Sequence, residues 1–160
     1  NWMVFVPETY RLAKKLRGVH TICMETDCGY QMSGFRFERV RREFSEINSA
    51  SAEQIYGDKF TKGEDEVTGI GNNVVLDFGE FDFTDEQPSK LVICGRSPLP
   101  LNSIHLTAGT ERILCEFRTE GESGYVEREF PLDSIAGKQN ISFTFLPGSD
   151  FDFRSFRFEK

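Results

Sequence analysis

Large apolar side chains recur at every second position in short stretches of this chain. Within 139–146, Asn140, Ser142 and Thr144 alternate with Ile141, Phe143 and Phe145, so an extended backbone sets polar groups on one face and apolar groups on the other. Pro147-Gly148 interrupts the run with turn chemistry, and Phe151, Phe153, Phe156 and Phe158 carry the chain back. This predicts a closing hairpin. Further strand-like runs are predicted at 54–60, 73–83, 90–95, 103–107, 112–118 and 125–130, with turns at 56–58, 69–73, 85–88, 97–100, Gly109 and 121–124. Strands at this spacing, with one short helical turn at 132–135, predict an all-β sandwich or barrel.

The order of residues in the closing run occurs once before. Tyr10, Leu12, Leu16, Gly18, Ile22, Met24, Phe35, Phe37 and Glu38 line up with Phe130, Leu132, Ile135, Gly137, Ile141, Phe143, Phe156, Phe158 and Glu159. Both copies end on Phe-Arg-Phe-Glu. An offset of about 120 residues is the length of a domain and points to tandem similar domains rather than a solenoid. The charged segment 40–43 marks the boundary. Residues 1–40 are therefore expected to be the last strands of a preceding similar module, with runs at 19–24 and 32–37 and a helical turn at 12–16. Residues 41–160 are expected to be a module of their own. Below about 40 residues a core seldom suffices, so the first segment is expected to pack on something else.

Composition narrows the partners. Sixteen Phe in a chain that is 38% hydrophobic indicate a core of few, large aromatic side chains. A net charge of −7 and a pI near 4.9 argue against nucleic acid or an anionic membrane as partner, because both demand basic patches. No stretch of about 18 apolar residues spans a membrane, and Asn1 to Pro7 lacks the features of a signal peptide. Cys94 and Cys115 fall in strand-like runs and are expected to be free thiols; Cys23 and Cys28, near His20, suit a short cross-link better than zinc, which wants four ligands.

Catalytic patterns are absent. There is no Gly-x-Ser-x-Gly, no His-Glu-x-x-His and no Gly-x-x-x-x-Gly-Lys; His20 and His105 lie in separate runs. Glu64, Asp65 and Glu66 beside Gly63 are expected to be a solvated loop rather than a glycosidase pair, and Gly69-Ile70-Gly71 lacks the helix of a dinucleotide loop.

Val67 to Phe78, Ile93-Cys94-Gly95-Arg96-Ser97, Asn102 to Leu106 and the closing run together resemble the non-catalytic C-terminal β-sandwich modules of bacterial family 2 glycoside hydrolases of β-galactosidase type. More distantly they resemble the family 6 carbohydrate-binding modules. The resemblance spans 44–160 and is most specific at Ile70-Gly71-Asn72-Asn73 and from Leu146 to Phe158. It implies a jelly-roll β-sandwich of galactose-binding-domain-like type. It also implies that Asp152 holds the place of a sugar-reading asparagine and Arg154 that of a calcium-ligating aspartate. A guanidinium has no lone pair to offer a cation, so no cofactor is expected.

The candidate carbohydrate-binding residues are then Tyr56 and Tyr125, for stacking on a pyranose, and Asn72, Asn73, Arg96, Asn102, Asp150 and Asp152, for reading hydroxyls. Asn72-Asn73 also suits a turn with positive φ, and Arg96 also suits pairing with a carboxylate. The expected function is a non-catalytic module that holds glycan near the catalytic domain of a larger glycosidase. Its alternative is a structural domain that packs on the enzyme or mediates oligomerisation without binding sugar.

Overall fold

In a computed structural model of the chain, the described residues are 5–10, 12, 19–27, 29, 31–37, 42–133 and 135–160. They fall into two compact units, Asn1–Arg39 and Val40–Lys160. The first unit has no strand among its described residues, so the runs expected at 19–24 and 32–37 do not form there. A strand needs a neighbour for its backbone groups, and two strands alone are marginal in water. Most of the helical turn expected at 12–16, and Cys28, lie outside the described residues.

The second unit is a β-sandwich of two antiparallel sheets. Its strands are β1 (Ile47–Asn48), β2 (Gln54–Tyr56), β3 (Thr61–Lys62), β4 (Val67–Ile70), β5 (Val75–Phe83), β6 (Lys90–Arg96), β7 (Leu101–Ala108), β8 (Glu111–Arg118), β9 (Val126–Pro131), β10 (Gly137–Phe145) and β11 (Phe151–Glu159). One sheet runs β3-β4-β11-β6-β9, with β1 also paired to β11; the other runs β2-β5-β10-β7-β8. Short 3-10 turns occupy Arg42–Phe44 and Ser49–Ser51. No helix among the described residues is long and apolar enough to cross a membrane.

The expected closing hairpin is corrected by this topology. β10 pairs with β5 and β7, whereas β11 pairs with β4, β6 and β1, so the Pro147-Gly148 turn carries the chain from one sheet to the other. The physical reason lies in the side chains. Ile141, Phe143 and Phe145 on β10 and Phe151, Phe153, Phe156 and Phe158 on β11 are all buried, and their rings meet across the core between the sheets. Ring centroids of Phe143 and Phe156 stand 4.8 Å apart, and those of Phe143 and Phe153 stand 5.3 Å apart. Such edge contacts add roughly 0.5–1.5 kcal/mol each beyond area burial.

Two bulges keep both long aromatic runs facing inward. On β5, Leu76 and Phe78 share one phase of the alternation and Phe81 and Phe83 the other, and the change falls at Gly79, whose φ is 71°. Arg42 clamps this bulge by donating to the carbonyls of Phe78 and Glu80 at 2.6 and 3.0 Å. On β11 the phase changes between Phe153 and Phe156, where the pairing with β6 shifts register. Buried Ser49 seals that irregularity, donating to the Phe153 carbonyl and accepting from the Val67 N–H at 2.8 Å.

Other expectations shift at their boundaries. The run expected at 54–60 ends at Tyr56, because Gly57 turns at φ 126° and pairing resumes only at Thr61. The turn expected at 69–73 narrows to Asn72-Asn73, since Gly69 and Ile70 belong to β4. In the helical turn expected at 132–135, Asp133 is a bend, Leu132 and Ile135 are not helical, and Ser134 lies outside the described residues. Cys94 in β6 and Cys115 in β8 are free, as is Cys23. Burial pushes the Cys115 thiol up to about 12, so it is inert as a nucleophile.

Phe156 on β11 reaches across the core to Phe78 and Phe143 of the opposite sheet, with the Phe78 centroid at 4.7 Å. Phe156→Ala is expected to cost about 3–5 kcal/mol in urea denaturation, the range for a buried Phe truncation. A cost below about 1 kcal/mol would show that the two sheets do not lean on this ring.

Candidate functional site

Five connections meet at one end of the sandwich: β2–β3, β4–β5, β6–β7, β8–β9 and β10–β11. Every candidate residue lies at this end. Tyr56 ends β2, Asn72 and Asn73 make the β4–β5 turn, Arg96 ends β6, Asn102 opens β7, Tyr125 precedes β9, and Asp150 and Asp152 flank the start of β11. They fall into two hydrogen-bonded groups, with Tyr56 and Asn73 apart from both.

The first group builds the loops. Asn72 Oδ1 accepts from the N–H groups of Gly148 and Ser149 at 2.7 and 3.2 Å, pinning the crossover turn. Asn102 is buried, and its Oδ1 accepts from the Asp150 N–H at 3.1 Å. Ser97 donates to the Asp150 carbonyl, and the Asp150 carboxylate lies 3.9 Å from Lys59 Nζ. Asn73 takes φ 57°, the turn role expected of it, while its N–H donates to the Phe145 carbonyl at 2.7 Å. In this arrangement the side-chain oxygens of Asn72 and Asn102 hold the loops at the end of the sandwich.

The second group is charged and partly open. Asp152 Oδ2 accepts from Arg96 Nε at 2.7 Å, and Oδ1 accepts from the Gly69 N–H at 2.7 Å. Arg96, Ser97, Pro98, Ser123 and Asp152 line a cavity of ≈ 300 Å³. Behind it, Tyr125 donates to Glu66 Oε2 at 2.6 Å, and its ring carries the guanidinium carbons of Arg96 at 4.7 Å and Arg154 at 3.9 Å. Arg154 Nε also lies 3.7 Å from Glu66 Oε2. Gly95 gives this corner its shape: a Cβ there would sit 2.1 Å from Phe151 Cζ, so the ring lies directly against the strand.

Arg154, Glu66 and Gly95 were not among the sequence candidates. A signal for Arg154 was present, because the break in alternation between Phe153 and Phe156 places a bulge there. No sequence signal pointed to Glu66, which meets Tyr125 only through the fold.

Calcium does not fit at the Arg154 position. The group there donates hydrogen bonds and carries its own positive charge, and it already faces Glu66 and the Tyr125 ring. Among the described residues no cluster of His, Cys, Asp and Glu is arranged to hold a metal.

No family model matches the sequence, and no curated protein matches it. Solved structures do match. A family 6 carbohydrate-binding module from Clostridium stercorarium, solved with cellobiose, superposes with a TM-score of 0.63 at 17% identity, covering 74% of this chain and 95% of that one. A family 6 module from Clostridium cellulolyticum, solved with xylose, gives 0.61 at 18% identity over 74% and 98%. The fold is that of the family 6 carbohydrate-binding modules. A family 43 arabinoxylan arabinofuranohydrolase from Bacillus subtilis, solved with cellotetraose, matches with a TM-score of 0.60 at 17% identity, over 74% of this chain and 27% of the enzyme.

Burial first, and then the hydrogen bond to Glu66, push the Tyr125 phenol up to about 12 from an ordinary 10.0. The neutral phenol is the form the fold favours. Its contribution to stability is therefore complete below pH about 10 and is lost as pH rises through about 12. Titration of tyrosinate absorbance at 295 nm should show one tyrosine ionising near the top of this range. That step should disappear in Tyr125→Phe and fall toward 10 in Glu66→Gln. A high-pH step unchanged in Tyr125→Phe would show that Tyr125 is not the group held neutral.

Proposed function

We propose that residues 40–160 form a non-catalytic carbohydrate-binding module of a larger glycoside hydrolase. The observation that carries this reading is the Arg96–Asp152 pair beside the ≈ 300 Å³ cavity at the loop end of the sandwich. A carboxylate has about four acceptor positions, and Asp152 uses two on Gly69 and Arg96, leaving two for hydroxyls. Arg96 meets Asp152 through Nε, which leaves its Nη groups to donate. An acceptor beside a donor fork suits the adjacent hydroxyls of a pyranose. Tyr125 is covered by guanidinium groups, so stacking falls to Tyr56, which stands half exposed at the same end. The module contributes no catalysis and raises the local concentration of substrate for its parent. The parent is of β-galactosidase type, a reading that rests on the sequence resemblance.

The structural alternative calls for an apolar patch of several hundred Å² where the domain meets its neighbour. Among the described residues of 40–160 the exposed large apolar side chains are Tyr56 and Leu114, at 51% and 52%. They lie on β2 and β8, the opposite edges of one sheet, and make no common patch. This favours the sugar-binding reading.

A glycan array of galactosides, glucuronides, cello- and xylo-oligosaccharides and plant β-glycans, run with calcium and with chelator, tests the proposal. Binding is expected, equal in both buffers, and weaker by about 10-fold or more in Asp152→Ala and in Arg96→Ala, the scale of a lost charged hydrogen bond. Silence across the array from a folded sample would move the assignment to the structural alternative, and binding that the chelator abolishes would overturn the calcium-free site.

A further inference from the structure

The described residues of the first unit include large apolar side chains that lie open. Tyr10, Leu12, Ile22, Met24, Phe35 and Phe37 are 45–79% exposed, whereas their counterparts in the repeat, Phe130, Leu132, Ile141, Phe143, Phe156 and Phe158, are 0–9% exposed. The repeat also reaches further back than its first matched pair. Phe5-Val6 stands where Tyr125-Val126 opens β9, so 5–38 matches β9, β10 and β11 in order. The two copies shift against each other twice, by one residue between Leu12 and Leu16, which answers to the β9–β10 connection, and by two between Met24 and Phe35, the stretch that answers to the Pro147-Gly148 crossover. Loops absorb such changes and strands do not.

Proline placement agrees with the match. Pro7 falls in the copy of β9, an edge strand that contains Pro131, while the copies of β10 and β11, central in their sheets, contain no proline. Side-chain alternation agrees as well: Tyr30 and Met32 stand where Phe151 and Phe153 point into the core, and Gln31 where Asp152 points out.

We infer that 5–38 is the last three strands of a second sandwich of this same fold, and that its open apolar face is covered by the earlier strands of that module. What covers it can be stated from the complete copy. β10 is flanked by β5 and β7, and β11 by β4, β6 and β1, so two central strands are left here without the strands that satisfy their backbone and bury their rings. The occupant is a run of about 80 residues with the strand pattern of 44–124, supplied upstream of Asn1. The protein would then present two such modules in tandem.

The encoding gene and the extended chain together test this. The reading frame upstream of Asn1 is expected to supply strand-like runs with the spacing of 54–60 through 112–118. In the chain extended to include them, hydrogen exchange at 19–26 and 31–37 is expected to slow by about 100-fold or more relative to the 160-residue chain. Phe35→Asp should then abolish one of two unfolding transitions and leave the other in place, and Phe156→Asp should do the reverse. An upstream frame without those runs would overturn the inference, as would an extended chain whose exchange in 19–37 is unchanged. Concentration-dependent protection in the 160-residue chain alone would also overturn it, because the occupant would be a second copy of this chain.

Discussion

The module depends on two strands meeting face to face. β10 and β11 are the centres of opposite sheets, and the rings of Phe143, Phe145, Phe151, Phe153 and Phe156 close the space between them. Apolar area of this kind contributes roughly 25 cal/mol per Å², and large aromatic side chains deliver most of it from few residues. The remaining strands extend each sheet outward from these centres. Even the loop end that gathers the candidate residues follows from the crossover between them, since Asn72, Asn102 and Ser97 all spend hydrogen bonds on residues 148–150.

At that end the chain fixes a positive charge against the Tyr125 ring. Arg154 sits at a bulge that turns it out of the core, stacks on Tyr125 and faces Glu66. The same guanidinium, with Arg96, occupies the Tyr125 ring. In the proposed carbohydrate-binding reading, Asp152 and Arg96 are then the groups left to read hydroxyls, and ring stacking has the smaller part.

Much of this was legible in the sequence, and the rest was not for definable reasons. Period-two alternation located most of β5 through β11 closely, because most of them bury one face, while β6, with Leu91, Val92 and Ile93 buried in succession, showed as a continuous apolar run. β1 and β3, of two residues each, are too short to show a period. Alternation also says which residues point inward without saying which strand lies beside which, so β10 and β11 looked like hairpin partners when they are facing partners. The candidate residues shared one end because turn-rich stretches collect where strands stop. Which of them hold loops, as Asn72 and Asn102 do, depended on bonds to residues 48 to 77 positions away. The Tyr125–Glu66 bond, across 59 positions, was invisible for the same reason.

The place of β11 in its sheet has a consequence for biosynthesis. Of the strands of this module it is the last to leave the ribosome, yet β4, β6 and β1 all hydrogen-bond to it. At roughly 5–20 residues per second, the earlier strands wait several seconds without the one that joins them. Their contacts then close over long sequence separations, the slow regime for folding. Neither sheet has its centre until synthesis of this module is almost complete, so the unit folds at the end of its translation rather than strand by strand.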